Sequence, residues 1–408
     1  MIESGLGQRF WTLWSAHTAS NLGDGLTIVA LPLLAVAATD DARLVALVAA
    51  VRLIPFVVLG LPAGLILDRF DRRIIAIGAQ LARGTVIGAL AWVAASGDVT
   101  IRALVAVAFA IGTGEVLSDG GLPAIVRETV GREQLEVANS RISATQTVSN
   151  MFIGPPVGAL LFEIGPEVAL GAAATLYLAG AGLLTRLSGS FRPEPEPGDA
   201  AEPLRTQVTH GLRYVWGHPV LRPLALTVAV FAFVSEAGWS VYVILVTERF
   251  GLGSVGFGVL ISVEAVTSVA SSFGIAWLVR RTSHSWSLRF SIVMFTVSSL
   301  LLGFSTVVAV AFLAALINGT SDPTWNVVSS TIRQRLVPDA VFGRVMTAYL
   351  VIAWGIQPIG ALLGGVIAEA WGAEWVFVLS GVAVGSLFVL ARPMFRAVDE
   401  AMRVTDGV

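Results

Sequence analysis

The chain has 408 residues, of which 55% are hydrophobic and only 13% charged, with a formal net charge of −2. A soluble fold carries about a quarter of its residues as charges, so this composition, with a mean hydropathy of +0.79, excludes a string of ordinary soluble domains. Cysteine is absent, which excludes a disulfide framework and thiolate chemistry, and the basic residues are all arginine with no block of the kind nucleic acid requires.

A helix needs about 20 mostly apolar residues to cross about 30 Å of hydrocarbon. Backbone polar groups cannot stay unpaired there, so long apolar runs are read as helices. The first run, 10–38, follows a single arginine, Arg9, and is too long for a cleaved signal core, so it is read as a retained span. Further runs lie at 43–66, 74–96, 100–122, 139–163 and 166–188, and then at 221–246, 255–279, 288–305, 307–330, 343–368 and 372–394. The expected fold is therefore an all-α membrane protein with twelve transmembrane helices in two pseudo-symmetric six-helix bundles. Residues 1–190 form the first bundle, 191–220 a cytoplasmic linker and 221–408 the second bundle.

The linker opens with FRPEPEPGDAAEP, Phe191 to Pro203, whose prolines and acids favour an extended, solvated segment. Residues 205–218 are amphipathic and suit either the membrane surface or a short soluble helix or coil. Arginine placement sets the orientation. With the N terminus inside, 21 of the 26 arginines fall in cytoplasmic segments; only Arg43, Arg102 and Arg249 fall outside, and Arg52 and Arg83 lie within helices. Both termini are thus expected to be cytoplasmic.

The two sets of six repeat. The fifth span contains IGPPVGALLF (Ile153–Phe162) and the eleventh IQPIGALLGG (Ile356–Gly365). Internal repeats of this kind underlie many transporters. The second span ends GLILDRFDRR (Gly64–Arg73) and the eighth GIAWLVRRTS (Gly274–Ser283), which keeps the glycine and two arginines but loses the acid.

The stretch Gly64–Arg73 aligns with the loop pattern G-x-L-x-D-R-x-x-R-R, with Ile66 at the leucine position. On that stretch and the repeated spans, the chain resembles the major facilitator superfamily over essentially its whole length. SNLGDGL (Ser20–Leu26), AVRLIPFVVLGLPAG (Ala50–Gly64) and EQLEVANS (Glu133–Ser140) resemble its bacterial efflux branch of enterobactin exporters and macrolide efflux proteins. Asn150–Ala159 resembles the antiporter pattern G-x-x-x-G-P-x-x-G-G but departs at its first and last positions. Gly112 and Gly114 stand where proton-coupled exporters have a glycine pair, yet no arginine lies between Ala103 and Ile111.

The resemblance implies a cytoplasmic gate built from Gly64, Asp68, Arg69, Arg72, Arg73 and Arg344, in which Asp68 meets the start of the eleventh span. Glycines Gly154, Gly158 and Gly360, with Pro155 and Pro358, are expected to serve helix packing and bending. Charges within the membrane are costly and mark sites. The resemblance places the first, fourth, seventh and tenth spans around a central cavity, and these carry Asp24, Glu115, Asp119, Glu236 and Asp322. Glu115 and Asp119 share a helix face. Glu236 precedes Trp239 by three and Asp322 precedes Trp325 by three, which suits a cationic or aromatic ligand. The plainer readings are packing for Asp24 and the tryptophans, and solvation for Asp119 and Asp322. Arg52, Arg83 and Glu264 are expected to be buried charge partners, with the arginines facing Asp24 or Glu115.

No nucleotide-binding pattern and no metal-ligand spacing appear, and no nucleophile–base pair points to an enzyme. The expectation is a cofactor-free secondary transporter in a bacterial cytoplasmic membrane. It exports small organic molecules by alternating access with proton antiport, as a monomer whose partners are substrate, protons and the lipid bilayer. Nutrient uptake or uniport on the same fold is the first alternative, and a non-transporting receptor or scaffold the second.

Overall fold

A computed structural model describes residues 6–192 and 204–406. The proline- and acid-rich part of the linker, 193–203, lies outside the described residues. The described residues are almost all helical: α1 (Gln8–Ala38), α2 (Ala42–Val58), α3 (Gly60–Leu67), α4 (Arg72–Ser96), α5 (Ile101–Thr129), α6 (Leu135–Thr147), α7 (Gly154–Ile164), α8 (Pro166–Thr185), α9 (Leu204–Gly217), α10 (Leu221–Ile244), α11 (Gly253–Arg281), α12 (His284–Phe304), α13 (Val308–Leu336), α14 (Asp339–Trp371), α15 (Ala373–Leu390) and α16 (Arg392–Asp406).

Among the described residues, ten helices or continuous helical stretches are long and apolar enough to cross a membrane, against twelve expected. The two shortfalls have local causes. The run 43–66 breaks at Leu59 into α2 and α3, because Pro62 has no N–H to offer the carbonyl of Val58. The run 307–330 forms the 29-residue α13, but its middle reads Asn318-Gly-Thr-Ser-Asp-Pro-Thr324 and is too polar for an apolar span. Conversely, α6 and α7 join through a π-helical segment at Val148–Ile153. Pro155 and Pro156 follow it and lack the N–H groups that would keep the ladder regular.

The chain divides into two compact units. Unit 1 holds Met1–Asp40, Leu47–Asp199 and Gly253–Ser262; unit 2 holds Asp41–Ala46, Ala200–Leu252 and Val263–Val408. In unit 1, α1 packs against α7 and α8, and α4 against α5 and α8. In unit 2 the repeat-related pairings recur: α10 packs on α14 and α15, and α12 on α13 and α15. Glycine decides how close two of these pairs come. A Cβ on Gly154 would sit 2.5 Å from the Cα of Gly25, and one on Gly364 2.9 Å from the Cα of Ala237. Overfilling such a contact costs about 1–3 kcal/mol. Gly154→Leu is therefore expected to lower the thermal unfolding midpoint of purified protein, whereas the same change at Gly78, which has open space around it, is expected to leave the midpoint in place.

Two helices were read only in part from sequence. The amphipathic segment 205–218 is helix α9, and it packs on α14, with Val215 buried among Leu221, Val345 and Ala348. His218 closes it; its Nδ1 accepts the N–H groups of Val220 and Leu221, and partial burial lowers its pKa and favours the neutral, accepting ring. The last predicted run ends earlier than expected, at Leu390, and α16 begins at Arg392. It buries Met394, Phe395, Val398 and Met402 against α12 and α13, while Arg396 and Arg403 stay exposed.

Candidate functional site

Four charges read from the sequence as buried or cavity-lining, Asp24, Arg52, Arg83 and Glu115, form two separate ion pairs in unit 1. Arg83 of α4 is only 1% exposed. Its guanidinium contacts the carboxylate of Asp24 on α1, donates to the Tyr177 hydroxyl at 3.1 Å and lies 4.2 Å from the Tyr177 ring centre. Tyr177, on α8, donates to Asp24 at 2.8 Å, and Gln80 donates to Ser20 at 2.6 Å beside it. Gly114 of α5 makes room for the arginine stem, since a Cβ there would meet Arg83 Cγ and Cδ at 2.5 Å. A buried charge is tolerated when paired and hydrogen-bonded in this way.

The second pair is Arg52 of α2 with Glu115 of α5, at 3.0 Å. Of the two partnerings open to each arginine from sequence, the fold selects Arg83 with Asp24 and Arg52 with Glu115. Both side chains of the second pair keep partial access to solvent, and Asp119, one turn along α5, is exposed and accepts from Ser118 at 3.2 Å. Glu115, Asp119 and Arg52 thus keep surface that a solute can reach, whereas Asp24 and Arg83 do not.

Two acids of unit 2, Glu264 and Asp322, are held differently. Glu264 of α11 accepts from Asn318 Nδ2 of α13 at 2.7 Å, and Asp322 accepts from Asn326 at 3.0 Å. Among the described residues neither carboxylate is in a salt bridge. Gly319 lets the two helices close, because a Cβ there would meet the Glu264 carbonyl oxygen at 2.6 Å and Thr267 Cβ at 2.7 Å. Further along the same pair of helices, a cavity of about 750 Å³ is lined by Ser272, Ala276, Val327, Thr331, Arg335 and Arg403 among others.

The two carboxylate–tryptophan pairs fare unequally. Glu236 is half-buried and Trp239 exposed on α10, and Trp239 lies 6.3 Å from Tyr242. Trp325 is instead buried and stacked on Phe231 at 4.6 Å, so it packs the core while Asp322 faces out. The reason is that α13 turns one face to α10 and α12, and Trp325 lies on it with Val328 and Ile332.

In the Gly64–Arg73 loop, Asp68 ends α3 with its side chain 71% exposed, 3.8 Å from Arg72. It is Asp71 that caps α4, accepting from the N–H of Arg73 at 2.9 Å and also from that of Phe191 at 3.2 Å. Arg72 reaches Glu128 at 3.4 Å and Arg73 donates to the Leu187 carbonyl. Arg69 is exposed and Arg344 half-buried.

A family described as transmembrane secretion effector matches residues 6–405. The chain belongs to this family. Among relatives of this chain, the multidrug efflux pump Tap of Mycolicibacterium fortuitum is 25% identical over 423 residues, covering 99% of this chain and 100% of Tap. Macrolide efflux protein A of Streptococcus pyogenes is 23% identical, covering 92% of this chain and 93% of its own length. Solved structures share the fold. The nucleoside transporter NupG superposes with a TM-score of 0.74 at 13% identity, over 96% of this chain and 99% of that one. A bacterial homologue of the iron transporter ferroportin does so with a TM-score of 0.70 at 15% identity, over 95% and 99%. Family and fold are those of membrane transporters of the major facilitator superfamily, and not of enzymes.

Several residues of the candidate site were not evident from sequence. Tyr177, Gln80 and Ser20 complete the Arg83 pair, and Asn318 holds Glu264. A lone tyrosine within the apolar run of α8 was a weak signal. The polar stretch from Asn318 to Thr324 was a stronger one, because polar side chains in a span must find partners.

Proposed function

We propose that this transporter exports small organic molecules by alternating access, driven by proton antiport, through twelve crossings in which α2 with α3 makes one and α13 another. Residues 1–190 and 221–408 act as the two bundles, and both termini lie on the cytoplasmic side of a bacterial plasma membrane. The observation that carries the reading is the unequal treatment of charge. Asp24 and Glu115 of unit 1 are held by arginine, whereas among the described residues Glu264 of unit 2 has a neutral amide as its side-chain partner. Glu264 can therefore exchange a proton with no salt bridge to break. Ser268, Ser271 and Ser272 continue along its helix face toward the cavity, a route for protons or substrate. Glu115, Asp119, Glu236 and Trp239 are the groups proposed to meet a cationic or aromatic substrate, which agrees with the multidrug and macrolide names of the relatives.

The test is efflux of a macrolide from right-side-out vesicles with and without a protonophore. Efflux that stops when the gradient collapses supports antiport; unchanged efflux overturns it, and gradient-driven accumulation would favour uptake. Asp68 is proposed to meet the start of α14 near Gly343 and Arg344, where a carboxylate gains from the helix N-terminus. Asp68→Asn is expected to reduce transport at least about fivefold, the scale of 1 kcal/mol, with membrane abundance unchanged. Normal transport in that variant would remove the latch from the mechanism and leave a topology-setting loop.

A further inference from the structure

Two carboxylates outside the proposed pathway, Glu163 and Glu369, lie at the same end of the repeat-related fifth and eleventh spans, about one turn apart in register, with Glu163 following Pro156 by seven residues and Glu369 following Pro358 by eleven. The fifth span ends Glu163-Ile-Gly165-Pro-Glu167 and the eleventh ends Glu369-Ala-Trp-Gly372-Ala-Glu374. Each glutamate lies in the last turn of its own helix, α7 or α14, where the carbonyl end of the dipole disfavours a negative charge. Each is compensated by the first turn of a helix from the other repeat. In unit 2, Glu369 accepts the backbone N–H of Ala42, the first residue of α2, at 2.9 Å and lies 4.0 Å from Arg43. In unit 1, Glu163 accepts from the hydroxyl of Ser254 in the first turn of α11.

Beneath each carboxylate a glycine brings the same two helices together. A Cβ on Gly365 would meet Ala46 Cβ at 2.5 Å and Arg43 Cα at 3.0 Å; one on Gly258 would meet the Pro155 carbonyl oxygen at 2.6 Å and Ala159 Cβ at 2.8 Å. One turn on from Gly258, Ser262 donates to the Phe152 carbonyl at 3.0 Å. Both α2 and α11 start in one unit and continue in the other, changing after Ala46 and after Ser262. Asp41, just before α2, shares Arg43 with Glu369, and the Arg43 hydrogen bond holds its carboxyl down to about 2. A carboxylate near the end of one span thus meets the first turn of its neighbour twice, on repeat-related helices, through a backbone N–H and an arginine in one case and a serine hydroxyl in the other, at the face predicted to be outer.

We propose that Glu163 and Glu369 are two caps that hold the outer ends of α11 and α2 in this state, and that releasing both is a required step of the transport cycle. The proposal rests on the alternating-access reading. It makes α2 and α14 exchange carboxylates: Glu369 caps the start of α2, while Asp68, beyond α3, is the acid proposed for the start of α14.

The chain has no cysteine, so single reporters can be placed without altering the background. Ala46→Cys and Ala159→Cys lie at positions that are fully buried beneath the two caps. Labelling by a membrane-impermeant maleimide is followed in right-side-out vesicles, with Glu163 and Glu369 intact and in the double variant Glu163→Gln, Glu369→Gln. The expected result is slow labelling with both glutamates present and about tenfold faster labelling in the double variant, the product of two caps of ordinary strength. Equal rates in the two backgrounds, or rapid labelling with both glutamates intact, would overturn the proposal. So would an equal acceleration at Ala108→Cys, a fully buried position in α5 away from the caps, because that would mean general loosening.

A further reporter at Gly343→Cys, near the start of α14, is followed from the other side while a macrolide is added. If the Gly343 and outer reporters shift in opposite directions in the parent chain but the glutamine variants change nothing, alternating access stands and the caps fall. If they never shift oppositely, alternating access fails and the caps fail with it.

Discussion

Arg83→Met is expected to remove most folded protein from the membrane. The substitution leaves the Asp24 carboxylate, and the Tyr177 hydroxyl bonded to it, in a site with almost no solvent. Breaking a buried pair from one side costs about 3–5 kcal/mol, a large part of the 5–15 kcal/mol that holds a typical domain. Asp24→Asn alone is expected to lose stability as well, since it strands the guanidinium. The double variant Asp24→Asn, Arg83→Met is expected to recover more than half of the loss of either single change, because no uncompensated charge remains. Thermal unfolding of the four purified forms, read as a double-mutant cycle, decides it. Additive losses would mean that the pair contributes nothing through its charges. The half-buried Arg52–Glu115 pair is expected to behave otherwise. Arg52→Gln and Glu115→Gln should shift the unfolding midpoint little, since partly solvated pairs are worth about 0–1 kcal/mol, while lowering transport.

Glu264→Gln is expected to separate proton coupling from substrate movement. Glutamine keeps the shape of the side chain and can still bond the Asn318 amide, but it cannot release a proton. Uphill efflux driven by an imposed pH gradient should fall at least about tenfold, and exchange of substrate down its own gradient should stay within about twofold of the parent. A few kcal/mol of differential binding is all that links the two in the parent chain. Retained pH-driven efflux in the variant would move the proton to another carboxylate, with Asp322 and Glu236 the next to test. Loss of both uphill and downhill movement would make Glu264 a substrate ligand or a structural residue.

The repeat and the span positions were legible because both depend on local pattern. Apolar runs long enough to cross a bilayer announce themselves residue by residue, and the Pro- and Gly-containing segments at 153–162 and 356–365 align without any knowledge of the fold. Two apolar runs did not become uninterrupted apolar spans, and the sequence contains the reason in each case: Pro62 in the second run and Asn318–Thr324 in the tenth. The C-terminal helix α16 was missed because its apolar residues, Met394, Phe395, Val398 and Met402, are too few for a span and count only as one face of a packed helix.

Which charges fall within apolar runs was legible from the sequence alone: Asp24, Arg52, Arg83, Glu115 and Glu264 are isolated among apolar neighbours, where a charge is tolerated by partnership. Which partner each would find was not determined, because Arg52 and Arg83 are of one type, Asp24 and Glu115 are nearly so, and the rotation of one helix against another is not written in either. Packing made that choice. Gly114 admits the Arg83 stem, Tyr177 closes the Asp24 pocket from α8, and Arg52 is left for Glu115. The same holds for Trp325, whose spacing from Asp322 suggested a joint site until the face it shares with Val328 and Ile332 turned it into the core. Spacing along one helix is a local quantity and can be read directly. The direction in which that helix faces depends on every helix packed around it, and only the tertiary structure supplies it.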